Sequence, residues 1–326
     1  MIKFYSPAKI NLFLYITAKR DDGFHDLFTL MAEIKLCDDL EFDFNRKGIS
    51  VECSHKGVPE DQSNLAFKAA ELFFDRLPSH GMDRAKAGGV GIKIKKRIPP
   101  GGGLGGGSSN AACVLNAMNQ WYGYPFSTSE LMEMGFHLGS DVPFFIHGGQ
   151  ALVQGTGEKL EPCCFFVPWY ILLVYPGFSA STAAVYKNVD LALTKNRKFS
   201  SNAPLNICSL SRTSDIKGYL HNDLESAACE LYPEIESLKN KMTDLLHEKI
   251  FMTGSGSSFF VLFSGYTEAE HAFKKVSAHS EELGMTPDKS IFLTSFANVK
   301  NSCNCHEADL AFGRGLPHKI KNFDET

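Results

Sequence analysis

Pro99-Pro100-Gly101-Gly102-Gly103-Leu104-Gly105-Gly106-Gly107-Ser108-Ser109-Asn110-Ala111-Ala112 is the most informative stretch of this chain. Six of the seven residues from 101 to 107 are glycine. Ordering so many glycines costs conformational entropy, and a chain accepts that cost where its backbone must lie very close to something bulky. A phosphate chain fits that description, because amide N–H groups without neighbouring side chains can turn inward. The helix that follows adds the positive end of its dipole. That helix is legible in Ala111, Val114, Leu115, Met118 and Trp121, spaced by three and four. Before the glycines, Val90-Gly91-Ile92-Lys93-Ile94-Lys95 alternates as a strand does, and Pro99-Pro100 stops it. Ser108 and Ser109 offer hydroxyls to a phosphate oxygen or a magnesium ion.

Three rival readings of the run are weaker. A flexible linker seldom leads straight into a patterned helix. Gly101-x-Gly103-x-x-Gly106 formally matches a dinucleotide-binding fingerprint, but two prolines separate the strand from the glycines. The acidic residue expected about twenty positions further on would be Glu130, which pairs with Ser127 in a helix-starting capping box instead. A nucleoside-triphosphatase P-loop ends in Gly-Lys-Ser/Thr, and Gly107-Ser108-Ser109 lacks the lysine. The phosphate cradle is of another kind.

Outward from the loop, the first ninety residues read as strands over 9–16, 32–36, 40–44 and 49–53, with Asp38-Asp39 expected to mark a turn between two of them. Leu65, Ala69, Leu72 and Phe73 predict an amphipathic helix, capped by Ser63 or Asn64. A second helix after the loop runs from Ser127 to Gly139, with Asp141 just beyond its end. Past residue 160 come a buried-type strand over 169–175, a helix from Ser181, and a polar surface loop over 194–215. Helices and strands then alternate to residue 297, so the second half reads as α+β. No internal repeat is visible.

The chain has 326 residues, with 33 Lys+Arg against 37 Asp+Glu and a formal net charge of −4. At roughly 150 residues per domain the length favours two domains. A near-neutral balance without a broad basic face argues against a nucleic-acid partner. The short basic clusters at 93–97 and 319–321 read as solvated strand and tail charges. Nine cysteines, an odd number without disulfide-like spacing, point to free thiols in a reducing, cytoplasmic compartment. Cys303-x-Cys305-His306 lacks a second ligand pair of zinc spacing and reads as loose tail. The apolar run at 12–16 is too short for a signal core, and the stretch 165–175 falls short of the ~20 residues a membrane helix needs. No membrane partner is expected.

Five stretches in order resemble the motifs of the GHMP small-molecule kinases. Besides the glycine loop they are Ser6-Pro7-Ala8-Lys9-Ile10-Asn11-Leu12-Phe13-Leu14, Asp22-Gly23-Phe24-His25, Gly139-Ser140-Asp141-Val142-Pro143-Phe144-Phe145 and Thr253-Gly254-Ser255-Gly256-Ser257-Ser258. The first motif and the Asp-Gly-Phe-His turn are similar to the diphosphocytidyl branch of that family, and the resemblance stops near residue 300. It implies a two-domain α+β fold. The expected parts are an ATP-binding domain over 1–160 (ribosomal protein S5 domain 2-like, with a left-handed βαβ element), a ferredoxin-like domain over 161–300, and a tail over 301–326. The implied activity is ATP-dependent phosphorylation of the 2-hydroxyl of 4-diphosphocytidyl-2-C-methyl-D-erythritol, a small-molecule substrate of the non-mevalonate isoprenoid pathway. ATP and Mg2+ are the implied cofactors.

By the same resemblance Asp141 is the base that takes the hydroxyl proton. Lys9 stands beside it, keeping the carboxylate ionised and stabilising charge on the transferring phosphoryl group. The ATP-binding set is Pro99, Pro100, Gly101, Gly102, Gly103, Leu104, Gly105, Gly106, Gly107, Ser108 and Ser109. Asn11, two residues from Lys9 on one strand face, suits a substrate hydroxyl. His25 is the implied reader of the cytosine edge. Phe24 stands where tyrosine is common, which keeps aromatic stacking and removes a hydroxyl. Tyr186 is the candidate second stacking ring. Ser108, Ser109 and Asp141 are the oxygen donors available to magnesium, which leans on waters and substrate phosphates. A non-catalytic ligand sensor, a nucleotide-dependent oxidoreductase and a homoserine kinase are the competing functions; joint retention of Lys9 and Asp141 argues against the sensor.

Overall fold

In the computed structural model β1 (Ile2–Lys19) and β2 (His25–Asp43) form one long antiparallel pair that places Lys9 opposite Glu33 and Asn11 opposite Met31. The structure describes residues 1–81, 88–163, 169–189 and 217–297. The expected turn at Asp38-Asp39 is absent, because β2 runs straight through both acids. Burying a charge mid-strand requires partners, and Asp38 has them. Its carboxylate accepts from the backbone N–H of Arg97 at 2.7 Å and of Ile98 at 2.9 Å, from Asn110 Nδ2 at 2.9 Å, and from the Lys96 ammonium. The acids thus tie β2 to the segment that leads into the glycine loop.

β3 (Ile49–Cys53) follows, then α1 (Leu65–Arg76), whose N-cap is Asn64; its Oδ1 accepts from Ala66 N at 2.8 Å. After β4 (Val90–Lys95) the chain enters α2 (Gly106–Trp121). That helix begins inside the glycine run, where its amino end is expected. α3 (Thr128–Leu138) starts with the Ser127–Glu130 capping box in place. α4 (Val142–His147), β5 (Gln150–Gly155) and β6 (Lys159–Pro162) complete the first half. Ala66, Ala69, Ala70, Phe73 and Phe74 of α1 pack against Ala111, Val114, Leu115 and Met118 of α2 and the inner faces of β2 and β4. Small residues on α1 let the two helices approach closely.

The second half contributes β7 (Tyr170–Val174), α5 (Thr182–Lys187), β8 (His221–Asn222), α6 (Glu225–Leu231), α7 (Pro233–Leu246), β9 (Phe251–Met252), β10 (Phe259–Phe263), α8 (Tyr266–Ala278), α9 (Pro287–Ser290) and β11 (Ile291–Ser295). Four of these strands form an antiparallel sheet in the order β11-β7-β10-β9. Counted along the chain that order is four, one, three, two, the ferredoxin-like arrangement. Both faces of β7 and β10 are covered, so they read as continuous apolar runs. Leu172, Val174, Phe259 and Val261 face α6, α7 and α8, while Ile171, Leu173, Phe260 and Leu262 pack against Ala8, Ile10, Leu12 and Phe13 of β1. β8 crosses over and pairs in parallel with β1, joining the first sheet. The tail over 301–326 with its Cys303, Cys305 and His306, and the polar loop over 194–215, lie outside the described residues. Cys37, Cys53, Cys113 and Cys229 are free thiols.

Candidate active site

Where β1, the glycine run and α4 meet there is a cleft of about 470 Å³. One wall is backbone. Gly101, Gly103 and Gly105 all have positive φ, between 69° and 76°, and side chains there would collide. A Cβ on Gly103 would stand 2.5 Å from the Thr253 carbonyl oxygen and 2.9 Å from that of Gly256. One on Gly105 would stand 2.8 Å from the Phe145 ring and 3.2 Å from Lys9 Cγ. The glycines are required both by the left-handed backbone and, at Gly103, by the Thr253–Ser258 stretch, which presses on the loop from behind. Ser258 N donates to Gly102 O at 3.2 Å, and Ser179 Oγ donates to Pro100 O at 3.1 Å. The second half of the chain therefore holds the loop open as a cradle at the N-terminus of α2.

Lys9 lies beside the cradle, 4% exposed. Its backbone N–H donates to Leu104 O at 3.0 Å, which registers β1 against the loop. Its ammonium donates to Asn11 Oδ1 at 2.6 Å and stands 3.7 Å from Asp141 Oδ2. Asp141 is the residue before α4, held in place as Val142 and Phe144 enter the core. The two charged groups expected to work together are thus brought together from separate elements.

Asn11 is a support as well as a lining residue. Besides accepting from Lys9, its Nδ2 donates to Thr29 Oγ1 at 2.8 Å, and its backbone N–H donates to Thr253 Oγ1 at 2.8 Å. Tyr186 lines the cleft from α5, with the His25 ring 5.6 Å away at 33°. Burial, with the Lys19 charge second, holds the His25 imidazole below its ordinary pKa of 6.5. Burial, with the Asp141 carboxylate second, pushes the Tyr186 phenol upward. At neutral pH both rings are uncharged.

Four expected residues stand outside the cleft lining: Gly102, whose carbonyl is turned to Ser258 N, His25, which meets the cleft only through the Tyr186 ring, and also Ser109 and Phe24. Ser109 is 1% exposed, and its hydroxyl accepts from Ser6 Oγ at 2.7 Å, so it joins a buried network with Asn110 and Asp38 instead of facing the cleft. One helical position earlier, Ser108 does line the cleft. Phe24 is 65% exposed at the turn between β1 and β2, outside the cleft lining. Lys96, read with the 93–97 cluster as a solvated charge, is buried instead: its ammonium pairs with Asp38 and would stand 2.8 Å from a Cβ on Gly106. Its signal was the pair of acids in a strand, which demanded a buried cation.

Among the described residues no three His, Cys, Asp or Glu side chains cluster as a metal site, and no helix is long and apolar enough to cross a membrane. The donors at the cradle, Ser108 and the Asp141 carboxylate, suit a magnesium ion carried largely by phosphate oxygens and water.

Residues 64–149 match the GHMP kinases N terminal domain. The chain is 38% identical over 274 residues to the 4-diphosphocytidyl-2-C-methyl-D-erythritol kinase of Syntrophus aciditrophicus (strain SB), covering 83% of this chain and 93% of that one. It is 36% identical to the enzyme of the same name from Clostridium botulinum (strain Kyoto / Type A2), covering 86% and 97%. A crystal structure of 4-(cytidine 5'-diphospho)-2C-methyl-D-erythritol kinase superposes with a TM-score of 0.71 at 31% identity, covering 91% of this chain and all of that one. The homoserine kinase of Cytophaga hutchinsonii shares the fold, with a TM-score of 0.66 at 19% identity over 90% of this chain and 94% of its own. This chain belongs to the GHMP kinase family, in the branch of the 4-diphosphocytidyl-2-C-methyl-D-erythritol kinases.

Proposed function

We propose that this chain transfers the terminal phosphoryl group of ATP to the 2-hydroxyl of 4-diphosphocytidyl-2-C-methyl-D-erythritol, giving ADP and the 2-phosphate. The observation that carries the reading is the Lys9 ammonium 3.7 Å from the Asp141 carboxylate, at the open end of a cradle made of backbone amides. Relatives of that activity at 36–38% identity over most of the chain support the choice of substrate.

Phosphoryl transfer is achieved mainly by positioning and by stabilising charge. The amides around 103–108 and the positive end of α2 hold the triphosphate. Asp141 accepts the proton of the 2-hydroxyl as its oxygen forms a bond to phosphorus and the bond to the ADP oxygen breaks. Lys9 keeps the Asp141 carboxylate oriented and spends its remaining donor capacity on the phosphoryl oxygens, where negative charge gathers. Asn11, held by Thr29, fixes the ammonium. Magnesium, when bound, neutralises phosphate charge, with Ser108 and Asp141 as the protein oxygens in reach. A neutral His25 can read the donor and acceptor pattern of a cytosine edge, and Tyr186 beside it offers a ring face for stacking. We read residues 1–160 and 161–300 as the two lobes around this cleft, and the free thiols as fitting the cytoplasm.

The test is turnover with ATP and magnesium on the cytidyl substrate and, in parallel, on homoserine. Release of ADP with formation of the 2-phosphate ester from the first compound alone sustains the reading. Turnover of homoserine in its place overturns it.

A further inference from the structure

Gly254 is the point where the 252–258 stretch touches the catalytic apparatus. Its φ is +59°, and a Cβ there would stand 2.9 Å from Gly103 O and 3.4 Å from Lys9 Nζ. The backbone at 254 therefore bears on the phosphate cradle and the catalytic ammonium at once, and its position has to be set by something outside the loop.

Two carbonyls of that stretch converge on a single side chain. Asn222 Nδ2 donates to Met252 O at 3.0 Å and to Gly254 O at 2.8 Å, while Asn222 Oδ1 accepts from Leu224 N at 3.0 Å. The amide, 9% exposed, thus uses both donor protons and its acceptor within the protein. Asn222 is anchored independently of the loop. It lies opposite Leu14 in the β8–β1 pair, and the next residue ties to β1 twice, through Asp223 N to Leu14 O and Ile16 N to Asp223 Oδ2, both at 2.9 Å. The strand that carries Lys9 and Asn11 is hence the ruler from which the loop's position is measured. Thr253 closes the circuit by accepting from Asn11 N at 2.8 Å.

We propose that Asn222 is a positioning residue for the transfer, fixing the 252–254 backbone so that Lys9 and the glycine cradle keep their separation. The proposal rests on the kinase reading above. Asn222→Asp keeps the shape and replaces two donors with a carboxylate facing two carbonyl oxygens, which drives the loop away. Asn222→Ser is a milder second variant that keeps an acceptor for Leu224 N and cannot reach both carbonyls. Asp223→Asn loosens the same segment without touching the loop.

Both Asn222 variants should lose about tenfold or more in kcat, with KM for the cytidyl substrate within about twofold of the parent. Amide hydrogen exchange over 251–258 should quicken in both. For Asn222→Asp the deficit against the parent should shrink as pH falls towards 5, where the introduced carboxyl regains a donor. Asp223→Asn, which weakens the anchor and leaves both Asn222 donor bonds in place, should melt earlier and lose less kcat than either Asn222 variant. Parental kcat in either folded Asn222 variant, or unchanged exchange over 251–258, overturns the proposal. Absence of turnover by the parent protein would refute the kinase reading instead, and the exchange comparison alone would then decide whether Asn222 holds the loop.

Discussion

Glu33 offers a quantitative test of how the interior next to the active site is built. It lies opposite Lys9 on β2 and is 7% exposed. Its Oε2 accepts from Gly149 N at 2.8 Å, just after α4, while its Oε1 has no hydrogen-bond partner. Burial raises the carboxyl from 4.5 to about 7, with the Gly149 N–H pulling the other way. Below pH 4.5 the folded and unfolded chains both keep the proton, and Glu33 costs nothing on this account. Between 4.5 and 7 the unfolded chain releases the proton while the folded chain retains it, so stability falls as pH rises. Above 7 the loss is complete, at about 3 kcal/mol from 1.36 kcal/mol per pH unit. Glu33→Gln removes the titration, keeps an acceptor for Gly149 N and leaves the rest of the chain's ionisations to cancel. Urea unfolding of both proteins at pH 4.5, 6 and 8 should show the variant gaining about 2–3 kcal/mol on the parent across the series. A difference between the two that stays constant with pH would refute the assignment of a buried, desolvated carboxyl.

Three further outcomes follow from the site. Asp141→Asn should lower kcat by about 10²–10⁴ while leaving ATP affinity by calorimetry close to that of the parent, because the proton acceptor goes and the cradle stays; a variant that keeps most of its rate removes Asp141 as the base. Gly103→Ala forces a side chain into a backbone at φ +76° with the Thr253 carbonyl 2.5 Å away, and should cost more than about 1 kcal/mol in thermal unfolding and raise KM for ATP. With His25 held below its ordinary 6.5, KM for the cytidyl substrate should stay level from pH 7 to 8 and rise only at lower pH, where the imidazole gains charge; Asn or Gln at position 25 should remove that rise.

How much of this was legible in the sequence depended on whether the signal was local. Helix α3 announced itself through Ser127 and Glu130, and α1 through the spacing of Leu65, Ala69, Leu72 and Phe73, since capping and amphipathicity act within a few residues. The glycine run told of a close backbone approach, and at Gly103 and Gly105 what comes close is the protein's own 253–256 backbone and Phe145 ring. What presses on it, the 253–258 stretch, could not be derived from spacing, because the contact spans about half the chain. Asp38-Asp39 misled for the same reason: paired acids favour turns locally, and it is Lys96, the amides of Arg97 and Ile98, and Asn110, all far along the chain, that stabilise a strand there. Ser109 misled by phase. It adjoins Ser108 in sequence but is rotated about 100° around the helix, towards Ser6 and the core.

The most direct test is a crystal structure of the Asp141→Asn variant with a non-hydrolysable ATP analogue and the cytidyl substrate. The terminal phosphate should lie against Lys9 and the amides of 105–108, the substrate's 2-hydroxyl should stand about 3 Å from the side chain at 141, and the cytosine should meet His25 and Tyr186. A triphosphate bound away from the glycine run, or a 2-hydroxyl out of reach of position 141, would contradict the account.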